Sequence, residues 1–430
     1  MSWFWPEGFY TLLMIAVFVA AAFCLKLPIA VAMFLSAVAG GLAAGEGIPL
    51  RHLVEGEFGY LDTIMVIAAA MVFMKTVQKT GFLDAFSVWI IRRFRRMPAL
   101  LSLGIILLIM APGMITGSSI AAVLTTGALV APVLVTLGMG PERAGAAIAM
   151  GALLGMVAPP VSIPTMMICA GVDIPYVGFT LPLLICTLPL AVLFAATMIY
   201  PRIRNFSDDE ALERQLAKMA VRPLSLRLSL PVIVLILLIA AEQFLAGSRY
   251  WHFLGMPAIF LIAAAPGLLS GTRWSPFEAV SEAIEDSLPI MSILMGVGMF
   301  IQVMTLIGAE GFIVVSALSL PAWGLLLGVM ISMPVFGAVS AYGSASVLGV
   351  PFLLALLDYN VVVVASALGM LASLGDLMPP GSLSPFFAAR TLGVDDRFRI
   401  ARYCIWPGIV VAFWCAGVIA VSNDIARHLF

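Results

Sequence analysis

The chain has 430 residues, of which 62% are hydrophobic and 10% charged, and its mean hydropathy is +1.12. Such a chain cannot present a normal polar surface to water, so we predict an all-α polytopic membrane protein. The 22 basic residues nearly balance the 23 acidic ones and form no patch interleaved with aromatics, which excludes nucleic-acid binding.

Apolar segments of about 20 residues, the length of one membrane crossing, follow one another along the chain. The first is predicted to remain as a span because the N-terminus lacks the basic region and cleavage site of a signal peptide. Full or broken spans are predicted at 8–25, 28–44, 61–78, 144–170, 180–200, 229–247, 253–270, 287–307, 360–389 and 403–422. Two further segments, 97–136 and 312–357, could each hold two helical arms, but Gly and Ser interrupt their centres.

These two segments are predicted to be re-entrant hairpins, which return to the side from which they entered. With the basic run 92–96 in the cytoplasm, only Arg51, Arg249 and Arg427 of the basic residues fall outside, which is the bias that the positive-inside rule describes. Both chain termini then lie outside as well. Two full crossings in place of either hairpin would leave the other loops on the same sides of the membrane. The prediction of hairpins therefore depends on the chemistry of their tips.

The first tip places Thr116, Gly117, Ser118 and Ser119 together, where a continuous membrane helix would favour leucine. Backbone groups cannot stay unpaired in hydrocarbon, so an interruption requires protein, water or a ligand to satisfy them. Free carbonyls and hydroxyls suit a cation such as sodium, and the amide end of a helix suits a carboxylate. Close helix packing by small residues is the alternative interpretation.

The chain also contains two halves that resemble each other, joined by a charged connector. The first repeat is 1–200, the connector 201–228 and the second repeat 229–430. The matching motifs are GSSIA at Gly117 and GSASV at Gly343, PPVSIP at Pro159 and PPGSLSP at Pro379, and GVD at Gly171 and at Gly393. The recurrence of the small polar motif at the equivalent place favours ion binding over packing at both tips.

The first repeat begins outside and the second inside, so the repeats are inverted. Inverted repeats with interrupted helices are typical of secondary transporters whose site lies at the midplane, whereas a channel-like or structural membrane protein, the alternative class, has no comparable need for them. No P-loop or other ATP motif is present. We expect the scaffold to comprise 8–78 and 229–307, and the hairpin segments 97–136 and 312–357 to form a moving domain.

Each Pro-Pro pair is predicted to break a helix, because proline removes a backbone donor and obstructs the preceding turn. Ser162 and Ser382 follow the two breaks closely and could offer hydroxyls to a small polar solute. A kink without a ligand is the alternative.

Asp376 stands three residues before the second break, near the midplane. A charged residue at that depth costs about 2.5 to 3.5 kcal/mol on insertion scales, so it is usually functional. It could be a sodium ligand beside the second tip, a proton carrier or a structural partner for a backbone amide. A sodium ligand is preferred, because a carboxylate beside an organic anion is repulsive unless a cation lies between them.

Cysteine and histidine usage argues against catalysis by a metal. The five cysteines have no paired spacing and are interpreted as small buried hydrophobes without disulfides. His52, His252 and His428 are isolated and cannot form a zinc cluster. We expect that the protein is not an enzyme.

Taken together, GSSIA, APPVSIP, GSAS and MPPGSLSP resemble the large membrane subunit of tripartite ATP-independent periplasmic transporters, the DctM-like family of the ion transporter superfamily. The resemblance implies an elevator-type, sodium-coupled importer of a small organic acid, such as a C4-dicarboxylate, in a bacterial inner membrane, and the outer side assigned to both termini is then the periplasm. It also implies two partners, a small four-helix membrane subunit and a periplasmic solute-binding protein. A stand-alone sodium- or proton-coupled symporter of the same superfamily is the alternative.

The resemblance assigns candidate residues by position. The first sodium site would comprise Gly117, Ser118, Ser119 and Pro159, and the second Gly343, Ser344, Ser346 and Pro379, with Asp376 added on the argument above. The solute cleft would comprise Thr116, Ser119, Ser162, Ser344 and Ser382.

Overall fold

The computed structural model describes residues 5–206, 208–219, 223–245, 254–271 and 274–429. Every regular element within these ranges is helical, and eight helical segments there are long and apolar enough to cross a membrane. This confirms an all-α polytopic membrane protein. The predicted spans 229–247 and 253–270 extend outside the described ranges. Arg249 and His252, which figured in the sequence analysis, also lie outside them.

The helices of the first repeat begin and end where the sequence places proline or glycine. Pro6 begins its helix where the missing N–H costs nothing. Gly81, with φ of 77°, separates two helices in a conformation that a Cβ would disfavour. The bounds are α1 Pro6–Phe23, α2 Ile29–Ala43, α3 Leu50–Glu57, α4 Leu61–Thr80 and α5 Phe82–Phe94.

A hairpin and a broken helix complete this repeat. The hairpin pairs the helix Pro98–Thr116 with a second arm that contains a π-helical segment, Val123–Gly127. The bounds are α6 Pro98–Thr116, α7 Ser119–Ala122, α8 Ala128–Thr136, α9 Pro141–Val157, α10 Ile163–Gly171, α11 Thr180–Phe194 and α12 Tyr200–Ile203. A second π-helical segment, Ala195–Ile199, joins α11 to α12.

The charged connector contains one described helix, α13 Asp209–Ala217. Asp208 caps it by accepting a hydrogen bond from the amide of Ala211 at 3.0 Å. Its Glu213 pairs with Arg92 at 3.1 Å and with Arg95 at 3.0 Å. The connector is therefore held against the end of α5, beside the first hairpin.

The second repeat follows the same order of elements. Its bounds are α14 Leu226–Leu245, α15 Met256–Ala264, α16 Pro276–Leu306, α17 Ala309–Leu318, α18 Ala322–Gly337, α19 Ala341–Val347, α20 Gly349–Ala355, α21 Val361–Ser373, α22 Leu383–Leu392, α23 Arg397–Ala420 and α24 Ser422–Leu429. Two 3₁₀ turns, Ala265–Leu269 and Leu374–Leu377, follow α15 and α21.

Helices of the predicted scaffold pack in pairs that join the two repeats. The helix α16 lies along α2, α3 and α4, and α15 lies along α4. Gly56 and Gly298 bring the backbones of α3 and α16 into direct contact, which is the role of small residues between membrane helices. Phe73 and Phe260 pack with tilted rings, whose centroids are 5.9 Å apart, across the α4–α15 contact.

The tip of the first hairpin lies beside the break between α9 and α10. The amide of Val161 donates to the carbonyl of Met114 at 3.1 Å. The 19 residues of α6 and the 17 of α9 both cover roughly 25 to 28 Å at 1.5 Å per residue, and α10 then continues past the tip. The hairpin therefore ends alongside a helix that extends beyond it, as a re-entrant hairpin must.

The two hairpins approach each other from opposite ends of the molecule. The helix α10 packs against α19 and α20 of the second hairpin, whereas α22 packs against α7 and α8 of the first. Each helix that follows a break thus packs against the hairpin of the other repeat, as expected for inverted repeats.

Two predicted boundaries are wrong. The second hairpin, predicted as 312–357, begins at Ala322, because Gly308 (φ 73°) and Pro321 isolate α17 as a separate helix. Gly308 repeats the role of Gly81, so α17 is the counterpart of α5. The predicted span 287–307 is also longer, because no glycine divides the amphipathic segment before it and α16 runs unbroken for 31 residues.

Candidate functional site

Both Pro-Pro pairs break their helices in the same way. The bonds Pro159–Pro160 and Pro379–Pro380 are cis, and each loop ends at a serine, Ser162 before α10 and Ser382 before α22. Ser162 Oγ shares a hydrogen bond of 2.9 Å with Thr165, and Ser382 donates to the carbonyl of Leu377 at 3.4 Å. Both serines are fully buried, and their hydroxyls have protein partners.

The first tip turns at Gly117, whose φ is 63°. A Cβ there would lie 2.5 Å from Cγ1 of Ile163, so the turn requires glycine both for its conformation and for its contact with the break. Ser118 then caps the second arm by accepting from the amide of Ala121 at 3.3 Å. Thr116 donates back to the carbonyl of Pro112 at 2.8 Å.

The end of α6 leaves backbone acceptors at this tip. The last four carbonyls of a helix lack partners within it. The amides of Gly117 and Val161 donate to the carbonyls of Gly113 and Met114. The carbonyls of Ile115 and Thr116 have no donor within α6 itself, because the helix ends at Thr116.

The second tip lies at 338–340, and the predicted equivalence of Gly117 with Gly343 is wrong. Ser340 caps α19 by accepting from the amide of Gly343 at 3.1 Å, so Gly343 belongs to the first turn of that helix. The true counterpart of Ser118 is therefore Ser340. The sequence motif misaligned the tips because it matched glycines, whereas the fold matches capping serines.

The predicted serines of the second tip form bonds within the protein. Ser344 donates to the carbonyl of Met333 at 2.6 Å, which ties α19 to α18. Ser346 accepts from the hydroxyl of Tyr60 at 3.1 Å, which ties α19 to the start of α4. Both serines are buried.

The two tips meet at a cluster that we call the tip junction, formed by Gly117, Ser119, Tyr342 and Asp376. Ser119 Oγ donates to Asp376 Oδ2 at 2.5 Å, and the hydroxyl of Tyr342 donates to the carbonyl of Gly117 at 3.1 Å. Asp376 is only 7% exposed. Residues more than 200 positions apart in sequence are thus joined by polar contacts in the interior.

Asp376 lies between the tips, not beside the second tip alone as predicted. Its neighbour Gly375 packs on the backbone of Gly337, at the end of the first arm of the second hairpin. Gly155 packs on the backbone of α6 at Met110 in the equivalent place of the first repeat. These glycines bring each hairpin close to its own break and so place the Asp376 carboxylate within reach of Ser119.

The junction offers mainly oxygen ligands. They include the second carboxylate oxygen of Asp376 and the lone pairs of Ser119, with the hydroxyl of Ser118 next to it in the chain. Hard cations prefer such donors, so the residues fit a sodium ion. Among the described residues, no cluster of three or more His, Cys, Asp or Glu could hold a transition metal.

A cavity of about 790 Å³ opens beside the first tip. Thr116 and Ser118 line it, together with Thr126, whose buried hydroxyl has no protein partner in the described ranges. The other predicted site residues do not line it. The cavity therefore reaches the turn of the first tip and not the second tip.

The charged rim of this cavity lies on α4, α5 and α16. Lys75 pairs with Asp286 at 2.6 Å and with Glu282 at 3.7 Å. Glu285 and Asp84 also line the cavity, and partial burial raises the pKa of the Asp84 carboxyl. The rim is acidic overall, which attracts cations toward the tip.

Three polar residues of this region were not predicted from sequence, namely Ser340, Tyr342 and Tyr60. Alignment of the capping serines in SSIA and SAYG, at an offset of 222, would have found Ser340. No sequence signal marks the two tyrosines, because their roles depend on contacts between distant helices.

Two opposed re-entrant hairpins, each packed on a cis Pro-Pro break and meeting at a buried polar junction, define a secondary transporter fold. The sequence matches the family described as "Tripartite ATP-independent periplasmic transporter, DctM component" over residues 12–423, and the chain belongs to that family. It is therefore the large membrane component of a TRAP-type secondary transporter, in a family of transporters and not of enzymes.

Solved structures with a similar fold include two bacterial transporters. The YdaH transporter of Alcanivorax borkumensis, whose structure was described as having an unusual topology, is 14% identical, with a TM-score of 0.62 over 96% of this chain and 98% of that one. MtrF of Neisseria gonorrhoeae, described among antimetabolite efflux pumps, is 14% identical, with a TM-score of 0.60 over 87% of this chain and 84% of that one. Comparison with curated proteins by sequence finds no match.

Proposed function

We propose that this chain is the permease of a tripartite importer in a bacterial inner membrane, and that it carries a small organic acid together with sodium. The observation that supports this proposal best is the tip junction, where Ser119 donates to Asp376 at 2.5 Å between two opposed hairpins. A buried carboxylate is costly in a membrane unless it meets a partner or an ion. Sodium bound there offsets that cost and couples the gradient to transport.

The solute lies in the cavity beside the first tip. Its carboxylate accepts from the hydroxyls of Ser118 and Thr126, while sodium at Asp376 screens the repulsion between the two anionic groups. Lys75 is already paired with Asp286, so the hydroxyls and the bound cation provide most of the recognition. Sodium and solute therefore bind cooperatively.

Transport follows an elevator motion in which the hairpins and broken helices move against the scaffold. The Tyr60–Ser346 hydrogen bond joins the two parts in the present state and breaks when the hairpins move.

The basic loops lie in the cytoplasm and both termini in the periplasm, so the cavity opens to the cytoplasm. The small membrane subunit docks on the scaffold, and the periplasmic solute-binding protein delivers the solute.

Uptake by the reconstituted protein tests these proposals one at a time. We expect uptake of the organic acid only with an inward sodium gradient, with the small subunit and with the loaded binding protein. Uptake indifferent to sodium would remove the coupling proposal, whereas uptake without the two partners would favour the stand-alone symporter.

Labelling of single cysteines tests the orientation independently. A cysteine at the exposed Gly140, beyond the first hairpin, is expected to react from the cytoplasm, and one at the exposed Asp358, beyond the second, from the periplasm. The reverse pattern would contradict the proposed topology, even if transport required sodium.

A further inference from the structure

A second cavity, of about 390 Å³, lies away from the tips between α9, the α11–α12 segment and α23. Arg143 reaches it from the first turn of α9, and Arg202 from α12. The two guanidinium groups thus come from separate helices to one pocket. We call this pocket the two-arginine groove.

Neither arginine forms an ion pair with a carboxylate in the part of the chain that the structure describes. Arg143 lies over the ring of Tyr403, with its guanidinium carbon 5.5 Å from the ring centroid. Glu142 lies next to it in sequence but pairs with Arg399 at 3.5 Å. Asp395 and Asp396 line the adjoining surface pocket with Arg143 without pairing with it. The groove therefore presents positive charge that the protein leaves available.

The remaining walls of the groove suit the boundary between membrane and water. Tyr403 and Trp406 line it from α23, and Trp406 is 73% exposed. Aromatic residues of this kind collect at the level of lipid headgroups. Beyond them the walls become apolar at Leu193, Phe194 and Val410.

The depth of the groove follows from helix geometry. Leu193 precedes Arg202 by nine residues within one continuous helical segment, which is roughly 13 Å at 1.5 Å per residue. The charged end lies at the helix terminus, and the apolar end reaches toward the membrane centre. One molecule with an anionic head and an apolar tail matches both ends.

We propose that the two-arginine groove binds an anionic phospholipid, with its phosphate between Arg143 and Arg202 and one acyl chain along Leu193, Phe194 and Val410. Guanidinium groups bind phosphate through paired, charge-assisted hydrogen bonds. Basic pockets between membrane helices favour such headgroups. A free phosphate would satisfy the arginines but would leave the apolar wall uncovered, so the lipid is the favoured source.

Binding of defined lipids to the purified full chain in detergent tests the proposal. The probes are dioleoylphosphatidylglycerol, dioleoylphosphatidylcholine and glycerol 3-phosphate, with dissociation constants measured by native mass spectrometry. Each basic residue at a membrane surface contributes about 1 kcal/mol, or about fivefold in affinity. We therefore expect phosphatidylglycerol to bind best, Arg143→Gln and Arg202→Gln each to weaken it about fivefold, and the double variant to lose the preference over phosphatidylcholine.

Arg204→Gln provides the matched control. Arg204 is exposed, two residues from Arg202, and does not line the groove, so its substitution should leave the lipid preference unchanged. Arg202→Lys keeps the charge and should retain most of the affinity. If a glutamine variant does not fold, the contrast between the two lipids in the wild-type protein still decides.

Three results would overturn the proposal. They are equal binding of the two lipids to the wild-type protein, an equal loss with Arg204→Gln, and full competition by glycerol 3-phosphate at the affinity of the lipid. The last result would assign the arginines to a free phosphate compound. The binding measurement does not involve sodium-driven uptake. Failure of the lipid proposal would therefore leave the proposed transport function unaffected.

Discussion

At the first tip, α6 ends on Gly117, Ser118 caps the second arm, and Ser119 reaches across to Asp376. At the second tip, Ser340 caps its helix, Ser344 bonds to Met333, and Ser346 accepts from Tyr60. The cavity reaches only the first of them. Two tips built on one plan thus differ in what they leave available to a ligand.

This difference arises from a few side chains on a common backbone. Both tips carry a capping serine, both first arms contain proline, at Pro112 and Pro334, and both breaks contain a cis Pro-Pro bond. Repeat symmetry therefore specifies where a site can form. The carboxylate of Asp376, which has Met156 at the equivalent position of the first repeat, distinguishes the two sites, and on the proposed function it is where sodium binds.

The largest effect is expected where the two tips are alike. Gly155→Ala and Gly375→Ala each insert a Cβ into the backbone of the facing hairpin arm, at Met110 and Gly337 respectively. Overpacking of a close contact costs about 1 to 3 kcal/mol or more, so both variants should show a clearly lower melting temperature and little folded protein. Gly328→Ala is the control, because a Cβ at Gly328 meets nothing within 4 Å. If only one of the two variants had a lower melting temperature, the repeats would not share this contact.

A smaller effect should separate the tips. Ser119→Ala removes the hydrogen bond to Asp376, and bonds to charged groups contribute about 1.5 to 3 kcal/mol. We expect the sodium concentration for half-maximal uptake to rise about tenfold. Ser344→Ala removes only the bond to Met333 and should lower stability by about 1 kcal/mol with sodium dependence unchanged. Equal shifts in sodium affinity would make the two tips equivalent sodium sites.

The smallest effects concern the two tyrosines that hold the tips. Tyr342→Phe removes the bond to Gly117, and Tyr60→Phe removes the bond to Ser346. Each change should cost about 1 kcal/mol of stability. The Tyr60 bond joins the scaffold to the second hairpin, so its loss should alter the rate of transport and not sodium affinity, whereas Tyr342→Phe should weaken sodium binding slightly. Transport kinetics over a range of sodium concentrations distinguish the two outcomes.

Much of the architecture could be predicted from the sequence because the membrane limits it strongly. The Gly and Ser interruptions of two apolar segments, the Pro-Pro breaks and the repeated order of motifs indicated the class of fold. The predicted start of the second hairpin was wrong because α17 is as apolar as the arms beside it. Hydropathy cannot distinguish an apolar surface helix from an apolar hairpin arm. The comparison of Gly308 with Gly81 could have corrected it.

The site was less accessible to prediction. Ser118, Ser119 and Asp376 were identified individually, because polar residues in an apolar segment are conspicuous. Their meeting was not, since Ser119 and Asp376 lie on different repeats and only the packed structure brings them together. Ser344 and Ser346 stood out in the same way, yet tertiary packing directs both toward partners within the protein.

The sodium dependence of uptake by Asp376→Asn tests the central role of the tip junction most directly. The substitution keeps the shape of the side chain and its hydrogen bond to Ser119 while removing the negative charge. The account predicts a folded protein whose uptake depends far less on sodium than that of the wild type, with Asp358→Asn, at an exposed position, as the control. Uptake with unchanged sodium affinity and unchanged pH dependence would contradict the account and make Asp376 a structural residue.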